Sequence, residues 1–235
     1  FVRDTLLGRD SLDIDVVVTA TDNENGITMA RQLAQDWHGK VKTHLPFGTA
    51  TVECRDGWKI DIVTARRETY AKSGVLPKVE FSNLVDDLWR RDFSVNAIAA
   101  SITPDQFGQI ADPTDGMDDL KKGRIRILHA ESFTDDPTRI FRTVRYASRY
   151  NFQIENQTEV LLRSALAHIK LVSGSRLQNE FGLIFEEPIA VQIIQRLSDL
   201  GLETILCPEW QIVPQLCKRW QRIRKNLEWA SLYLT

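Results

Sequence analysis

Asp13 and Asp15 stand two residues apart in Leu12-Asp13-Ile14-Asp15-Val16-Val17-Val18, and Asp61 is framed in the same way by Ile60 and Ile62. Both runs predict β-strands, because apolar and acidic residues alternate and β-branched residues follow. A period of two puts Asp13 and Asp15 on one face. Carboxylates side by side repel unless a cation or a proton sits between them. Three acids converging from neighbouring strands form a hard oxygen site of the kind that suits Mg2+. Such a site can stabilise the attacking and leaving oxygens of a phosphoryl transfer. The bland alternative is an edge strand with its acids in water. Against it stand the strongly apolar residues around the pair, which predict a central strand, and the nearby Arg3 and Arg9.

A second constellation is cationic. Asp136 to Tyr150 reads as a helix, with Arg139, Arg142, Arg145 and Arg149 at spacings of three, three and four on one face. Ile140, Phe141, Val144 and Ala147 supply the core-facing side. Like charges at these spacings repel in isolation, and a polyanion against the stripe would relieve them, since guanidinium forks match phosphate. The alternative is an ordinary exposed face balanced by acids elsewhere. Arg90-Arg91-Asp92 forms a third cluster. Phe93, Val95, Ala97, Ile98 and Ala99 come directly after it, which predicts the start of a buried helix or strand.

The elements that must carry these residues change character along the chain. After the first strand, Asn25 to Trp37 has helical spacing of apolar residues, and Thr49 to Cys54 and Trp58 to Val63 are β-like. Asp56-Gly57 between the last two predicts a hairpin. Arg66 to Asp87 is polar, carries Gly74 and Pro77, and reads as a loop. After Pro113 helical periodicity dominates. Asn156-Gln157-Thr158-Glu159 has the form of a capping box with Asn156 as N-cap, and Ser175-Arg176-Leu177-Gln178 repeats that form. Pro188 fits the first turn of a further helix. The expected fold is α+β, a small sheet-containing head followed from about Pro113 by an all-helical body. Near the end, Lys218, Arg219, Arg222, Arg224 and Lys225 are interleaved with Trp210, Trp220 and Trp229. They suit either contacts to a nucleic-acid backbone or a solvated amphipathic helix with buried tryptophans.

Composition sets the outer limits. A hydrophobic fraction of 43% in 235 residues is enough for a real core. Thirty Lys and Arg against 32 Asp and Glu leave a formal net charge of −2, so any basic surface is local. The three cysteines, Cys54, Cys207 and Cys217, are odd in number and far apart, which predicts free thiols in a reducing compartment. They lack metal-ligand spacing, and the four histidines are scattered, which argues against a zinc site. No apolar run is long enough to cross a membrane and no signal peptide is evident, so the expectation is cytoplasmic, with no stable protein partner evident. The chain opens at Phe1 rather than Met, which predicts a fragment or a missing start.

In order along the chain, these residues resemble the class II tRNA nucleotidyltransferase and bacterial poly(A) polymerase family. Phe1-Val2-Arg3-Asp4 resembles the end of the family's Gly-Gly-x-x-Arg-Asp signature, and Leu12-Asp13-Ile14-Asp15 its metal-binding Asp-x-Asp. Asp61 falls where the superfamily places its third carboxylate. Arg90-Arg91-Asp92-Phe93-Ser94-Val95-Asn96-Ala97 is similar to its ribose-recognition motif, and Asp112-Pro113-Thr114-Asp115-Gly116-Met117-Asp118-Asp119-Leu120 to its hinge. Asp135-Asp136-Pro137-Thr138-Arg139 resembles the Glu-Asp-x-x-Arg motif that acts as a protein template for the incoming base. Ser173-Gly174-Ser175-Arg176-Leu177 through Glu180 resembles the last, structural motif of the neck. The resemblance implies a polymerase β-like mixed-sheet head over residues 1–112, a helical neck over 113–185 and the start of a helical, RNA-binding body over 186–235, with Mg2+ on Asp13 and Asp15 and catalysis by Asp13, Asp15 and Asp61. It also implies nucleotide contacts from Arg3, Arg91, Asp92 and Asn96, with Asp92 reading the ribose hydroxyl.

The resemblance further implies addition of C or A from CTP or ATP to a tRNA 3′ end, with release of pyrophosphate. Asp136 and Arg139, taken as i and i+3 on one helix, would present an acceptor–donor edge that pairs with C or A but meets G or U with the wrong partner. Arg142 and Arg145 would lie one turn on, near phosphates or the base. Asp135 departs from the usual Glu and Ser94 from the usual Thr. The glycine pair would precede Phe1, and a chain that truly starts there is expected to show weak catalysis or none. Asn96-Ala97-Ile98-Ala99 looks like the tRNA enzymes more than the poly(A) ones. Arg67-Glu68-Thr69-Tyr70 with Gly74-Val75-Leu76-Pro77 resembles enzymes that divide CC and A addition between them. Poly(A) addition and a non-catalytic RNA-binding relative are the alternatives; intact Asp13, Asp15 and Asp61 argue against the second.

Overall fold

The computed structural model describes residues 1–11, 13–22 and 24–206. Cys207, Cys217 and the Lys/Arg/Trp stretch expected near the end therefore lie outside the described residues. Phe1–Ala71, Leu76–Lys122 and Arg126–His129 make one compact unit; Lys72–Val75, Gly123–Ile125 and the chain from Ala130 make the other.

The first unit opens with α1 (Val2–Leu6) and β1 (Ile14–Val18), followed by α2 (Gly26–Asp36), β2 (Lys40–His44), β3 (Thr49–Glu53) and β4 (Lys59–Thr64). The strands form one mixed sheet in the order β1-β4-β3-β2. β1 runs parallel to β4, and β3 is antiparallel to both β4 and β2. The Asp56-Gly57 turn closes the β3–β4 hairpin as predicted, with Gly57 at φ 88°. β1 is not central: it is the end strand of the sheet. Its apolar residues are explained by α2, since Val16 and Val18 pack against the cluster of Ala30, Ala34, Ala50, Val52 and Ile62. α2 begins at Asn25, whose side chain and Thr28 cap each other's backbone. Gly26 admits no side chain, because a Cβ would lie 2.7 Å from the Thr64 amide nitrogen.

Arg66 to Asp87 is not a plain loop. It holds a hairpin of β5 (Arg66–Thr69) and β6 (Lys78–Phe81), then α3 (Leu84–Trp89). The alternation that marks a strand is carried here by charge, with Arg67 directly opposite Glu80. Arg90 caps the end of α3, so Arg90-Arg91-Asp92 closes a helix rather than opening one. The next stretch is buried as expected: Phe93, Val95 and Ala97 are fully enclosed. Short β7 (Ala99–Ala100) and β8 (Ile110–Ala111) pair antiparallel, and α4 (Gly116–Lys122), expected in the neck, packs within this first unit.

The second unit contains β9 (Arg124–Ile125), α5 (Ser132–Asp135), α6 (Arg139–Tyr150), β10 (Gln153–Ile154), α7 (Asn156–Ala165), α8 (Gly174–Phe185), α9 (Ala190–Asp199) and α10 (Leu202–Leu206). β10 pairs parallel with β9. The helix starts differ from expectation in detail. Glu155, not Asn156, caps α7 by accepting from the Thr158 amide. Ser173 precedes α8 without a side-chain cap, and α9 starts after Pro188 and Ile189. The long cationic helix begins at Arg139 rather than Asp136. Pro137 is the cause: the residue before a proline is pushed out of the helical region, and Asp136 sits extended at φ −132°, ψ 93°. Among the described residues, no helix is long and apolar enough to cross a membrane.

Candidate metal and nucleotide site

β1 and β4 bring the acids together. Asp15 and Asp61 are direct partners in the parallel register, and Asp13 lies just before β1. One carboxylate oxygen from each lies within 4.8 Å of the others; Asp13 and Asp15 are exposed and Asp61 half-buried. Thr51, the antiparallel partner of Asp61, donates its hydroxyl to Asp61 Oδ1 and fixes that carboxylate. Among the described residues, no hydrogen bond reaches the carboxylates of Asp13 and Asp15. Local desolvation raises the pKa of Asp15 above the usual carboxylate range, and the charges of Asp13 and Asp61 add to the rise while Arg91 opposes it. Three like charges with hard oxygens and little internal compensation fit a divalent cation of the Mg2+ type.

The sequence-predicted residues of the nucleotide motif form one hydrogen-bonded network in the same unit. Asp4 holds the Arg3 guanidinium through two contacts, at 3.0 and 2.8 Å. Arg3 donates to Asn96 Oδ1, and Asn96 donates in turn to Asp92 Oδ1 at 2.9 Å. Arg91 donates to the Asn96 carbonyl at 3.1 Å and to Asp87 Oδ2 at 3.3 Å. Arg3, Arg91, Asp92 and Asn96 thus sit as a single group. Asp87, which sequence reasoning missed, is their hidden anchor: it is fully buried and also grips Arg90 at 2.7 Å. Its signal was present, since Asp87 on α3 precedes Arg90 and Arg91, at and just past the helix end, by three and four residues. Thr51 had no comparable signal, because only the strand register puts it beside Asp61.

The second unit carries Asp136, Arg139, Arg142 and Arg145. Asp136 accepts from the Thr138 amide and hydroxyl and from Arg176 at 2.7 Å. Arg139 is buried and donates to Ser132 Oγ. The four-arginine stripe is not an exposed cationic face. Arg145 is buried, with Glu180 at 4.0 Å and Glu187 at 3.9 Å. Arg149 is held by Glu187 as well. Arg142, Arg145 and Arg149 ring Tyr146, at 5.5, 5.2 and 5.6 Å from its centroid. The acids that balance the stripe lie on and just beyond α8, some forty residues away in sequence, where periodicity alone could not reveal them.

A mixed sheet with its acids gathered on a parallel strand pair, followed by a run of helices, is the architecture of a nucleotidyltransferase head and helical body. Residues 1–126 match the poly A polymerase head domain, and residues 151–212 match the probable RNA and SrmB-binding site of polymerase A. The chain belongs to the poly A polymerase head-domain family. An A-adding tRNA nucleotidyltransferase of Geobacter sulfurreducens is 38% identical over 234 residues, covering 99% of this chain and 26% of that protein. An A-adding tRNA nucleotidyltransferase of Halalkalibacterium halodurans is 43% identical over 206 residues, 85% of this chain and 47% of that protein. The solved structure of a Thermotoga maritima CCA-adding enzyme complexed with tRNA-CCA matches with a TM-score of 0.79 at 36% identity, covering 97% of this chain and 52% of that one. The chain thus spans between about a quarter and about half the length of these relatives.

Proposed function

We propose that this chain is the nucleotide-adding half of a cytoplasmic tRNA nucleotidyltransferase that joins A, C or both, from ATP and CTP, to the 3′ end of tRNA and releases pyrophosphate. The observation that carries the proposal is the meeting of Asp13, Asp15 and Asp61 within 4.8 Å. These three residues would hold Mg2+, which when bound supplies charge stabilisation at the attacking and leaving oxygens. Arg3 and Arg91, each held by a buried or half-buried acid, would bind the triphosphate without having to be ordered first. Asp92, itself pinned by Asn96, would accept from the ribose hydroxyl and so favour NTP over dNTP. Asp136 and Arg139 would read the base, with Arg142 nearby on α6 and Arg145 bracing that helix through its glutamates.

Selection of A is favoured within this reading by the two relatives named A-adding. The test is incubation of the full-length protein with tRNAs ending before CCA, after the first C and after CC, each with CTP or ATP. A product one nucleotide longer only from the CC-ended tRNA with ATP marks an A-adding enzyme. Extension of the shorter tRNAs with CTP marks CC or CCA addition, and long ATP-dependent tails mark poly(A) addition. No extension of any substrate overturns the proposal.

A further inference from the structure

We infer that Arg176 is a specificity-determining positioning residue that fixes the Asp136 carboxylate so that a single oxygen is left for an incoming base. The inference rests on the base-reading role proposed for Asp136. Pro137 keeps Asp136 out of α6 and leaves it extended as the C-cap of α5, where its N–H donates to the Ser132 carbonyl and its own carbonyl accepts from the Arg139 amide. These bonds hold the backbone, while the carboxylate is oriented by separate contacts. Those contacts fall on one oxygen. Oδ1 accepts from the Thr138 amide at 3.0 Å, the Thr138 hydroxyl at 2.7 Å and Arg176 Nη2 at 2.7 Å. Oδ2 carries no hydrogen bond among the described residues. An ionised carboxylate only accepts, so a base with an exocyclic amine can pair with Oδ2, while a carbonyl in the same place meets an acceptor.

Two of the three donors to Oδ1 belong to Thr138, two residues away on the same short turn, and they move with it. Arg176 is the donor from another element, α8, and its guanidinium is held at its far side too. Nη1 donates to the Gly74 carbonyl at 3.1 Å, and Nη2 also reaches the Thr138 hydroxyl at 3.4 Å. A planar fork held at both ends cannot rotate away. The backbone at Gly74 is itself closely placed: φ is +77°, and a Cβ would lie 2.8 Å from the Leu171 carbonyl oxygen. The Lys72–Val75 segment therefore touches base choice through a backbone carbonyl and Arg176, with no side chain of its own.

The test is a double-mutant cycle on the full-length protein, scored as relative kcat/KM for ATP or CTP against UTP and GTP. Arg176→Ala is expected to loosen discrimination by about tenfold, as loss of one charge-assisted hydrogen bond allows, with a smaller change in kcat for the preferred nucleotide. Arg176→Lys keeps the charge without the fork and should fall between. In an Asp136→Ala background Arg176→Ala should loosen nothing further. If Arg176→Ala does not fold, Thr138→Val, which removes one donor to the same oxygen, should give a smaller shift of the same kind, again absent once Asp136 is gone. Unchanged discrimination in these variants, or effects that add to that of Asp136→Ala, would overturn the inference while leaving base reading by Asp136 intact. Unchanged discrimination in Asp136→Ala itself would overturn both.

Discussion

The acids of the first unit and the arginines of the second are both clusters of like charge, and they are handled in opposite ways. Asp13, Asp15 and Asp61 converge on one exposed spot with a single hydrogen bond from Thr51 between them. Arg142, Arg145 and Arg149 surround an aromatic ring and are met by Glu180 and Glu187 from other parts of the chain. The first cluster receives little compensation from the described residues, Arg91 being the side-chain charge that opposes the rise at Asp15. The second completes most of its compensation on folding. Like-charge clusters in a sequence are therefore not evidence of a site until the counter-charges have been found. Removing a residue from each cluster should register in different measurements: activity for the first, stability for the second.

The largest expected effect is Asp13→Ala in the full-length protein. Loss of one ligand from the carboxylate group should cost several kcal/mol of transition-state stabilisation, about a thousandfold or more in incorporation. Its melting temperature should barely move, or rise, since one of three repelling charges is gone. Normal incorporation would remove Asp13 from the chemistry, and a large loss of stability would show that the two clusters do not differ in kind.

Next is Glu187→Ala. Glu187 is 4% exposed and faces Arg145 and Arg149, so its removal leaves buried Arg145 with one of its two glutamates and takes from the partly exposed Arg149 the carboxylate that holds it. Burial works against the Arg149 charge, yet the Glu187 hydrogen bond and charge outweigh it and raise the Arg149 pKa. The expected cost is about 3–5 kcal/mol by chemical denaturation. A cost under about 1 kcal/mol would place this pair with ordinary surface salt bridges. Arg139→Ala should have a mixed outcome, because Arg139 is buried against Ser132 and is also proposed to read the base. Discrimination against UTP and GTP should fall by about 1–3 kcal/mol, measured in the same incorporation assay. Intact selectivity would leave Arg139 with a structural role only.

The two regions also differ in how much of them could be read before the fold was known. The acids were legible because strand period and residue type together are diagnostic, and β1 and β4 put Asp15 and Asp61 in register. The apolar residues around Asp13 and Asp15 pointed to a central strand and misled, because β1 is an edge strand whose apolar residues face α2. The β5–β6 hairpin was illegible because its strands alternate charge instead of hydrophobicity, with Arg67 opposite Glu80 and Arg66 paired with Glu68. The segment proposed to read the base was half legible: residue types were in view, but Pro137 breaks the assumed i, i+3 helix pair at Asp136. Spacing could not give the long-range partners at all, such as Glu187 for Arg149, whereas the close partner Asp87 of Arg91 stands only four residues before it, on the last turn of α3.

The smallest expected effect tests how complete the compensation in the second unit is. Glu180 is buried, stands 4.0 Å from Arg145, and its Oε2 carries no hydrogen bond. Desolvation raises its pKa above the usual carboxylate value, and Asp136 adds to the rise; Arg142, Arg145 and Arg176 pull it down without cancelling it. Asp15 is raised by the same leading cause, but there neighbouring acids reinforce it and Arg91 resists. A carboxyl whose folded pKa is raised binds its proton more tightly folded than unfolded. The stability this group contributes is therefore present at low pH, and it is lost as pH rises from the unfolded value of 4.5 through the folded one. Glu180→Gln cannot titrate, so the stability of the natural chain relative to it should improve as pH falls from 7 toward 4.5, by a small amount that denaturant midpoints at matched pH can resolve. A flat difference would mean that the arginines fully offset burial. A difference of the opposite sign would make Glu180 a well-paired carboxylate, and the second unit's charge network as complete as its arginine-to-glutamate contacts suggest.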